Sequence, residues 1–470
     1  MNNFEKYKKI KIHFIGIGGI GMSGIAELML DQGYYIQGSD ININANIIRL
    51  KKRGAKIFIG HNKNNIKKIN AAVFSSAIKT NNLEIIECKK LSIPLVSRAD
   101  MLAELMRNKK SIAIAGSHGK TTTTSLVGTM LDHSNFDPTI VNGGIINSYS
   151  RNNRFGKGEW MVVEADESDG SFLRLPHEIN IITNLDIEHL DYYKSEKNLI
   201  NSFEKFINNL PFYGYSIVCL DSVNLRKIVN KIKTRKLITY SYKNIHSNIK
   251  ITSIKRNKKN TEFIISIKKN IIKNIYGNFF FKTNLLGDHN ILNATAAITA
   301  SLIAGASIKK IQKALVDFQG VKRRFSYLGK IGNAYIYDDY AHHPTEIKAS
   351  YQIARQIVKK KIIVIFQPHR YSRTKYLFKD FIKELSKISI LYIMDIYPAG
   401  EKPIIKINSK NLVTRLQLQN KKVFYVHKNI NFNIILKPYF KENNTIIFMG
   451  AGSVTYEAQK LINENNVKKH

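Results

Sequence analysis

Ser111–Ser125 reads SIAIAGSHGKTTTTS: an apolar run of strand length, two glycines, a lysine and a hydroxyl-rich helix start. Ile112, Ala113, Ile114 and Ala115 supply the strand, Gly116 and Gly119 the loop, and Lys120 with the threonines behind it the helix. Glycines let backbone N–H groups approach phosphate oxygens, and a helix N-terminus adds about half a positive charge. A lysine neutralises outer phosphates, and a hydroxyl such as that of Thr121 suits Mg2+. Gly116, Ser117, His118, Gly119, Lys120, Thr121 and Thr122 are therefore expected around the phosphates of a nucleoside triphosphate. The spacing departs from G-x-x-x-x-G-K-[ST], because position 114 is Ile. The bland alternative is a βα turn with a capping hydroxyl and a solvated lysine.

Upstream, Lys11–Ile17 reads as a strand, and Gly16-Ile17-Gly18-Gly19-Ile20-Gly21 opens a helix with Ile25, Leu28 and Met29 on one face. A second strand, Tyr34–Gly38, ends in Ser39 and Asp40. G-x-G-x-x-G between strand and helix, with an acid about two dozen positions on, seats a diphosphate and a ribose hydroxyl. The pattern leaves open whether the ligand is NAD or a UDP-sugar. Strands at Lys56–Ile59 and Ala71–Ser75 place His61 and Ser75 at tips where ligands lie, although such residues are often structural. Ser97-Arg98-Ala99-Asp100 bridges towards the next domain, with a boundary near Arg107.

Downstream, the strand Trp160–Glu164 ends in Glu164, Asp166, Glu167 and Asp169, and Ile179–Thr183 ends in Asn184, Asp186, Glu188, His189 and Asp191. Carboxylates at strand tips beside a phosphate loop suit Mg2+, which takes few protein ligands and fills its shell with phosphate and water. A solvated acidic loop is the alternative. Tyr213–Tyr276 shows short β-like alternations and lysine-asparagine linkers. Gly287–Asn293 then opens a helix of small residues, where Asn290 either meets a nucleotide or caps the helix. A third α/β sheet is expected from Val321, with strands Ala334–Tyr337, Lys361–Phe366 and Thr445–Met449. Their tips carry Asp338 to Pro344, Gln367 to Thr374 and Gly450-Ala451-Gly452. Arginines there suit bidentate carboxylate or phosphate binding.

The 470 residues fit about three domains. No apolar run reaches the length of a membrane span, and MNNFEKYKK leads into the first strand without a signal-peptide core, so an unexported, cytoplasmic protein is expected. Cys88 and Cys219 form neither a disulfide framework nor a zinc pattern. The net charge of +38 raises the question of nucleic acid. The lysines are spread along the chain with Ile and Asn, as in Lys243–Asn274, and no recognition motif accompanies them, so neither nucleic acid nor membrane is expected as a partner.

FIGIGGIGMSGIAE, GSDI, AGSHGKTTTTS, EADESDGSFL, HNILNA, DDYAHHPTEI and QPHRYSRT, in this order from Phe14 to Thr374, closely resemble the motifs of the Mur ligases. The resemblance implies a three-domain α/β protein: an N-terminal Rossmann-like domain for the sugar nucleotide (1–107), a central phosphate-loop ATP/Mg2+ domain (108–320) and a C-terminal Rossmann-like domain for the amino acid (321–470). It implies ATP-dependent joining of L-alanine to the lactyl carboxylate of UDP-N-acetylmuramate in peptidoglycan precursor synthesis, by a monomer or weak homodimer. Carried across, Lys120 binds phosphate, and Thr121, Glu164 and His189 are metal-site residues. Asn290, Asn293, Arg324 and Asp338 contact ATP; His342, Arg370 and Arg373 surround L-alanine; Gly18, Asp40 and His61 face the uridine nucleotide. Lys120, His189, His342 and Arg373 are the expected catalytic set. Alternatives are a family member acting on a preformed peptide, against which EADESDGSFL argues, a nicotinamide-dependent oxidoreductase, and a nucleic-acid-dependent ATPase. Two departures stand out. NLDIEHLD exchanges the chain lengths of its acids at Asp186 and Glu188, and Asp288 occupies a position where a basic residue is common.

Overall fold

The computed structural model describes residues 10–75, 77–149, 151–232, 236–358, 360–419, 422–427 and 430–467. The leading MNNFEKYKK, read above as lacking a signal-peptide core, lies outside the described residues.

The first sheet has β1 (Lys11–Ile15), β2 (Tyr35–Asp40), β3 (Lys56–Ile59), β4 (Ala71–Phe74) and β5 (Leu95–Ser97), in the order β3-β2-β1-β4-β5. All pairs are parallel. The order reverses at β1, the point where open α/β sheets bind ligands beyond their carboxyl ends. β1 ends at Ile15, earlier than expected, because Gly16 turns the chain with φ +81°. β2 runs on to Asp40, because Asp40 still pairs with Ile59.

The second sheet has β6 (Lys110–Ala115), β7 (Thr139–Ile146), β8 (Arg151–Arg154), β9 (Trp160–Glu164), β10 (Ile179–Ile182), β11 (Tyr215–Cys219), β12 (Lys236–Ser241), β13 (Ile249–Arg256), β14 (Thr261–Ile272) and β15 (Ile275–Thr283). Their order is β15-β14-β13-β12-β11-β10-β6-β9-β7-β8. β6 lies between β9 and β10, parallel to both, with Ile114 opposite Glu164 and Ala115 opposite Ile182. That register brings the glycine turn after β6 level with the acidic strand tips. The β-like alternations read over Tyr213–Tyr276 are β11 to β14 and the start of β15.

The third sheet has β16 (Ser326–Ile331), β17 (Ala334–Asp339), β18 (Ile362–Phe366), β19 (Ile390–Met394), β20 (Lys422–Val426) and β21 (Thr445–Met449), in the order β16-β17-β21-β18-β19-β20. Only the β16–β17 pair is antiparallel. β17 reaches Asp339, two residues past the expected end, because Asp339 pairs with Met449. The nearly unbroken apolar runs IIVIF, ILYIM and TIIFM are buried throughout, as in parallel strands covered on both faces.

Two compact units result. The first two sheets belong to one; the third sheet belongs to the other, together with residues 256–261 and 285–289. Among the described residues no helix is long and apolar enough to cross a membrane.

Candidate active site

Backbone geometry makes the loop after β6 a turn that requires its glycines. Gly116 adopts φ +135°, and a Cβ there would lie 2.1 Å from Thr183 Oγ1. Gly119 adopts φ +83°, with Asn293 Oδ1 at 2.5 Å from where its Cβ would be. Any side chain would therefore strain the turn and displace a neighbour. The loop is fastened to the tip of β10. The His118 N–H donates to Asn184 Oδ1 at 2.8 Å, and Asn184 Nδ2 donates back to His118 O at 2.8 Å. The Asp186 N–H donates to Ser117 Oγ at 2.8 Å, and Asp186 Oδ2 lies 3.0 Å from His118 Nε2. Asp186, one of the two departures, thus holds the loop in place. Asn293 Nδ2 donates to Asn290 Oδ1 at 3.2 Å, and Asn290 sits inside the helix Asp288–Ile303 and is not its cap.

Lys120 begins the helix Lys120–His133, and its ammonium donates to Gly116 O at 2.6 Å and to Glu167 Oε1 at 2.9 Å. Burial works against that charge, but Glu167, Glu164 and Asp166 more than offset it and hold Lys120 above the ordinary lysine range. Burial pushes the Glu167 carboxyl up to about 7 against the pull of Lys120, and Asp166 adds to the rise. Thr121 Oγ1 donates to Glu164 Oε1 at 3.1 Å, while the Gly143 N–H holds Glu164 Oε2 at 2.7 Å. Adjacent oxygens around an octahedral Mg2+ with bonds of 2.0–2.1 Å stand about 3 Å apart, so this hydroxyl and carboxylate fit two neighbouring positions of that shell. His189 Nε2 lies 3.7 Å from Glu167 Oε1 and 3.6 Å from Glu188 Oε2, so it borders the lysine pair.

The first sheet carries a second glycine turn. The Gly18 N–H donates to Asp40 Oδ2 at 2.9 Å, and Asn44 and Asn46 donate to Gly18 O at 3.1 and 2.9 Å. A Cβ on Gly16 would meet Ile78 at 3.2 Å and Ser75 Oγ at 4.0 Å, so Ser75 stands beside the turn. His61 Nδ1 lies 2.9 Å from Ser39 Oγ.

In the other unit, the tips of β17, β18 and β21 gather a cationic cluster. Asp338, expected like Arg324 to contact ATP, faces Arg323 Nε at 3.9 Å and accepts from Thr455 Oγ1 at 3.1 Å. Arg324 lies 3.7 Å from Glu346 Oε1, and both arginines cover the Tyr340 ring. The His342 N–H donates to Glu346 Oε2 at 3.0 Å, and its ring stands 5.6 Å from that of His369. Arg373 Nη1 donates to His369 Nδ1 at 3.2 Å, and Arg370 takes φ +70° as its N–H donates to Tyr397 O at 2.8 Å. Burial, then the charges of His342, Arg373, Arg370 and Arg323, push His369 down to about 3, so its imidazole is neutral. Asp288, the other departure, is bonded on both oxygens by Arg256, at 2.7 and 2.8 Å. A guanidinium from β13 therefore balances the acid that stands where a basic residue is common.

His369 and Arg323 were given no role from sequence, and Glu167 was named only as one of four acids at the tip of β9, not as the partner of Lys120. Glu167 and His369 stood inside quoted motifs, and each becomes notable only through a partner.

The chain thus carries a glycine turn on one parallel sheet, a loop with hydroxyl, lysine and carboxylates on the next, and, in the other unit, a cationic cluster on the third. Three family models match the chain in succession: "Mur ligase family, catalytic domain" over residues 11–110, "Mur ligase middle domain" over 114–301 and "Mur ligase, glutamate ligase domain" over 323–452. The chain belongs to the Mur ligase family. It is 44% identical over 457 residues to the UDP-N-acetylmuramate--L-alanine ligase of Methylocella silvestris, covering 96% of this chain and 97% of that protein. It is 45% identical over 459 residues to the protein of the same name from Rickettsia africae, covering 96% and 94%. The crystal structure of UDP-N-acetylmuramate-alanine ligase from Thermotoga maritima superposes with a TM-score of 0.81 at 28% identity, over 98% of this chain and 100% of that one.

Proposed function

We propose that the chain ligates L-alanine to the lactyl carboxylate of UDP-N-acetylmuramate, consuming ATP, in the cytoplasmic synthesis of peptidoglycan precursors. The observation that carries the reading is the phosphate loop, with Lys120 charged against Glu167 and Thr121 set beside Glu164, in a chain whose relatives carry that name at 44% and 45% identity over nearly their whole length. A carboxylate is unreactive towards an amine until one of its oxygens leaves as phosphate. The lactyl oxygen attacks the γ-phosphorus and ADP departs; the alanine nitrogen then attacks the acyl carbon, phosphate departs and the nitrogen loses a proton.

Residues 116–122 surround the ATP phosphates, and Lys120 with the N–H groups of residues 119–122 carries the charge of the transferred phosphoryl group. Thr121, Glu164 and His189 would hold Mg2+, with His189 bordering the Lys120–Glu167 pair. When bound, the ion neutralises phosphate oxygens as charge shifts onto them. Asn290 and Asn293 contact the nucleotide, and Arg324 and Asp338 contribute from the third sheet. Gly18, Asp40, His61 and Ser75 bind the sugar nucleotide, while His342, Arg370 and Arg373 bind alanine. The domain division 1–107, 108–320 and 321–470 follows the three sheets, and the enzyme works as a monomer or weak homodimer. The names of the relatives do not favour a ligase for preformed peptides.

Labelling the lactyl carboxylate with 18O tests the acyl-phosphate route. One labelled oxygen per released phosphate is expected; unlabelled phosphate contradicts it.

A further inference from the structure

Glu84, in the first turn of the helix Leu83–Lys90, is wholly buried in the first sheet's domain. Its carboxylate gathers donors from several segments. Ser39 Oγ lies at 2.5 Å, Asn65 Nδ2 at 2.7 Å, Asn62 N and His61 Nδ1 at 3.2 Å, and His13 Nε2 at 3.3 Å. Gln37 Nε2 closes the network onto His13 Nδ1 at 3.2 Å and Asn65 O at 2.7 Å. Burial pushes the carboxyl up, but His13 above all, then Ser39 and Asn65, bring it down to about 2. Glu84 is therefore an ionised acceptor throughout the neutral range.

His61 follows β3 at the carboxyl end of the sheet, the end where Gly18 and Asp40 also lie. A serine hydroxyl has a single hydrogen. Since Ser39 gives its hydrogen to Glu84, its oxygen accepts from His61 Nδ1, 2.9 Å away. Glu84 Oε2 itself also faces Nδ1, so an N–H on that nitrogen meets two acceptors, and this tautomer leaves the lone pair on Nε2. The His61 side chain is 16% exposed, against 0% for Glu84.

We infer that Glu84 is a positioning residue for the sugar nucleotide: directly and through Ser39 it fixes the ring and tautomer of His61, so that Nε2 accepts from a neutral N–H or O–H of the nucleoside. The inference rests on the reading that this end of the sheet binds UDP-N-acetylmuramate. A buried carboxylate that served the core alone would support all three substrate sites through stability; one acting through His61 serves a single substrate.

The test is a double-mutant cycle read in KM for each substrate, using Glu84→Gln, His61→Ala, their combination, and Ser39→Ala. Each single change is expected to raise the KM for UDP-N-acetylmuramate about tenfold, the worth of one lost hydrogen bond, with the KM for ATP and L-alanine unchanged. The combination should be no worse than His61→Ala alone. Additive effects, an equal shift in all three constants, or an unaltered sugar-nucleotide KM overturns the inference. Should Glu84→Gln fail to fold, Ser39→Ala with His61→Ala supplies the same cycle. A wild-type enzyme inactive on these substrates removes the ligase reading itself; an active one with an unaltered KM in Glu84→Gln overturns this inference alone.

Discussion

Lys120 and Glu167 divide one task. The lysine supplies charge to the phosphates, and the buried carboxylate holds it ready; their side chains are 15% and 3% exposed. Removing one partner of such a pair leaves a charge without compensation, at a cost of about 3 kcal/mol. Lys120→Met is expected to abolish turnover and lower stability by that order in denaturant unfolding. Adding Glu167→Gln should recover much of the stability and none of the turnover. Glu164→Gln keeps the bond from the Gly143 N–H but removes charge from the carboxyl beside Thr121. A raised Mg2+ requirement, about tenfold in an ATP-turnover titration, is expected with an unchanged melting temperature. Lys120 was legible in the sequence because the chemistry of its loop is local: glycines, lysine and threonine are contiguous. Glu167 was legible only as one of four acids; its pairing with Lys120 was not, because that partner lies 47 positions away. Arg256 was hidden for the same reason, 32 positions from the Asp288 it neutralises.

At the scale of elements, strand order explains why distant motifs meet. β9 and β10 flank β6, so Glu164 and Thr183 arrive at the loop that Gly116 opens. Gly116→Ala places a methyl against Thr183 Oγ1 in a backbone conformation hostile to side chains. ATP binding, followed by calorimetry, should be lost while sugar-nucleotide binding survives. The strand cores were readable as apolar runs bounded by glycine and acids, and Trp160–Glu164 and Thr445–Met449 end where expected. Strand ends at Asp40 and Asp339 were not, because hydrogen bonds to a parallel neighbour carry polar residues into the strand.

His177 shows a buried polar group setting an element's pH response. Its Nδ1–H donates to Leu175 O at 2.8 Å, Asn180 Nδ2 donates to its Nε2 at 3.2 Å, and its ring packs on Phe206 of the helix Glu196–Asn208. Burial lowers it from 6.5 to about 4. Between these values the unfolded chain binds a proton that the folded chain does not. The stabilisation is complete above pH 6.5 and is lost as pH falls towards 4, by up to about 3 kcal/mol. His177→Gln should flatten the unfolding free energy over that window; an unchanged slope counts against the buried neutral imidazole.

For the molecule as a whole, a net charge of +38 without a recognition motif favours anionic substrates through diffuse attraction. Such attraction is screened by salt. Raising ionic strength is expected to weaken ATP and sugar-nucleotide binding by a few-fold while leaving kcat nearly constant, and neither DNA nor RNA should stimulate ATP turnover. The family was legible from seven motifs in order, because six sit at strand tips, HNILNA lies in the helix Asp288–Ile303, and each keeps its local chemistry. How those tips share charges required the fold. The most direct measurement is phosphate release from ATP and Mg2+ with UDP-N-acetylmuramate and L-alanine, each omitted in turn. Release that requires both substrates and vanishes in Lys120→Ala is the result expected of the ligase; release indifferent to either substrate, or persisting without Lys120, contradicts it.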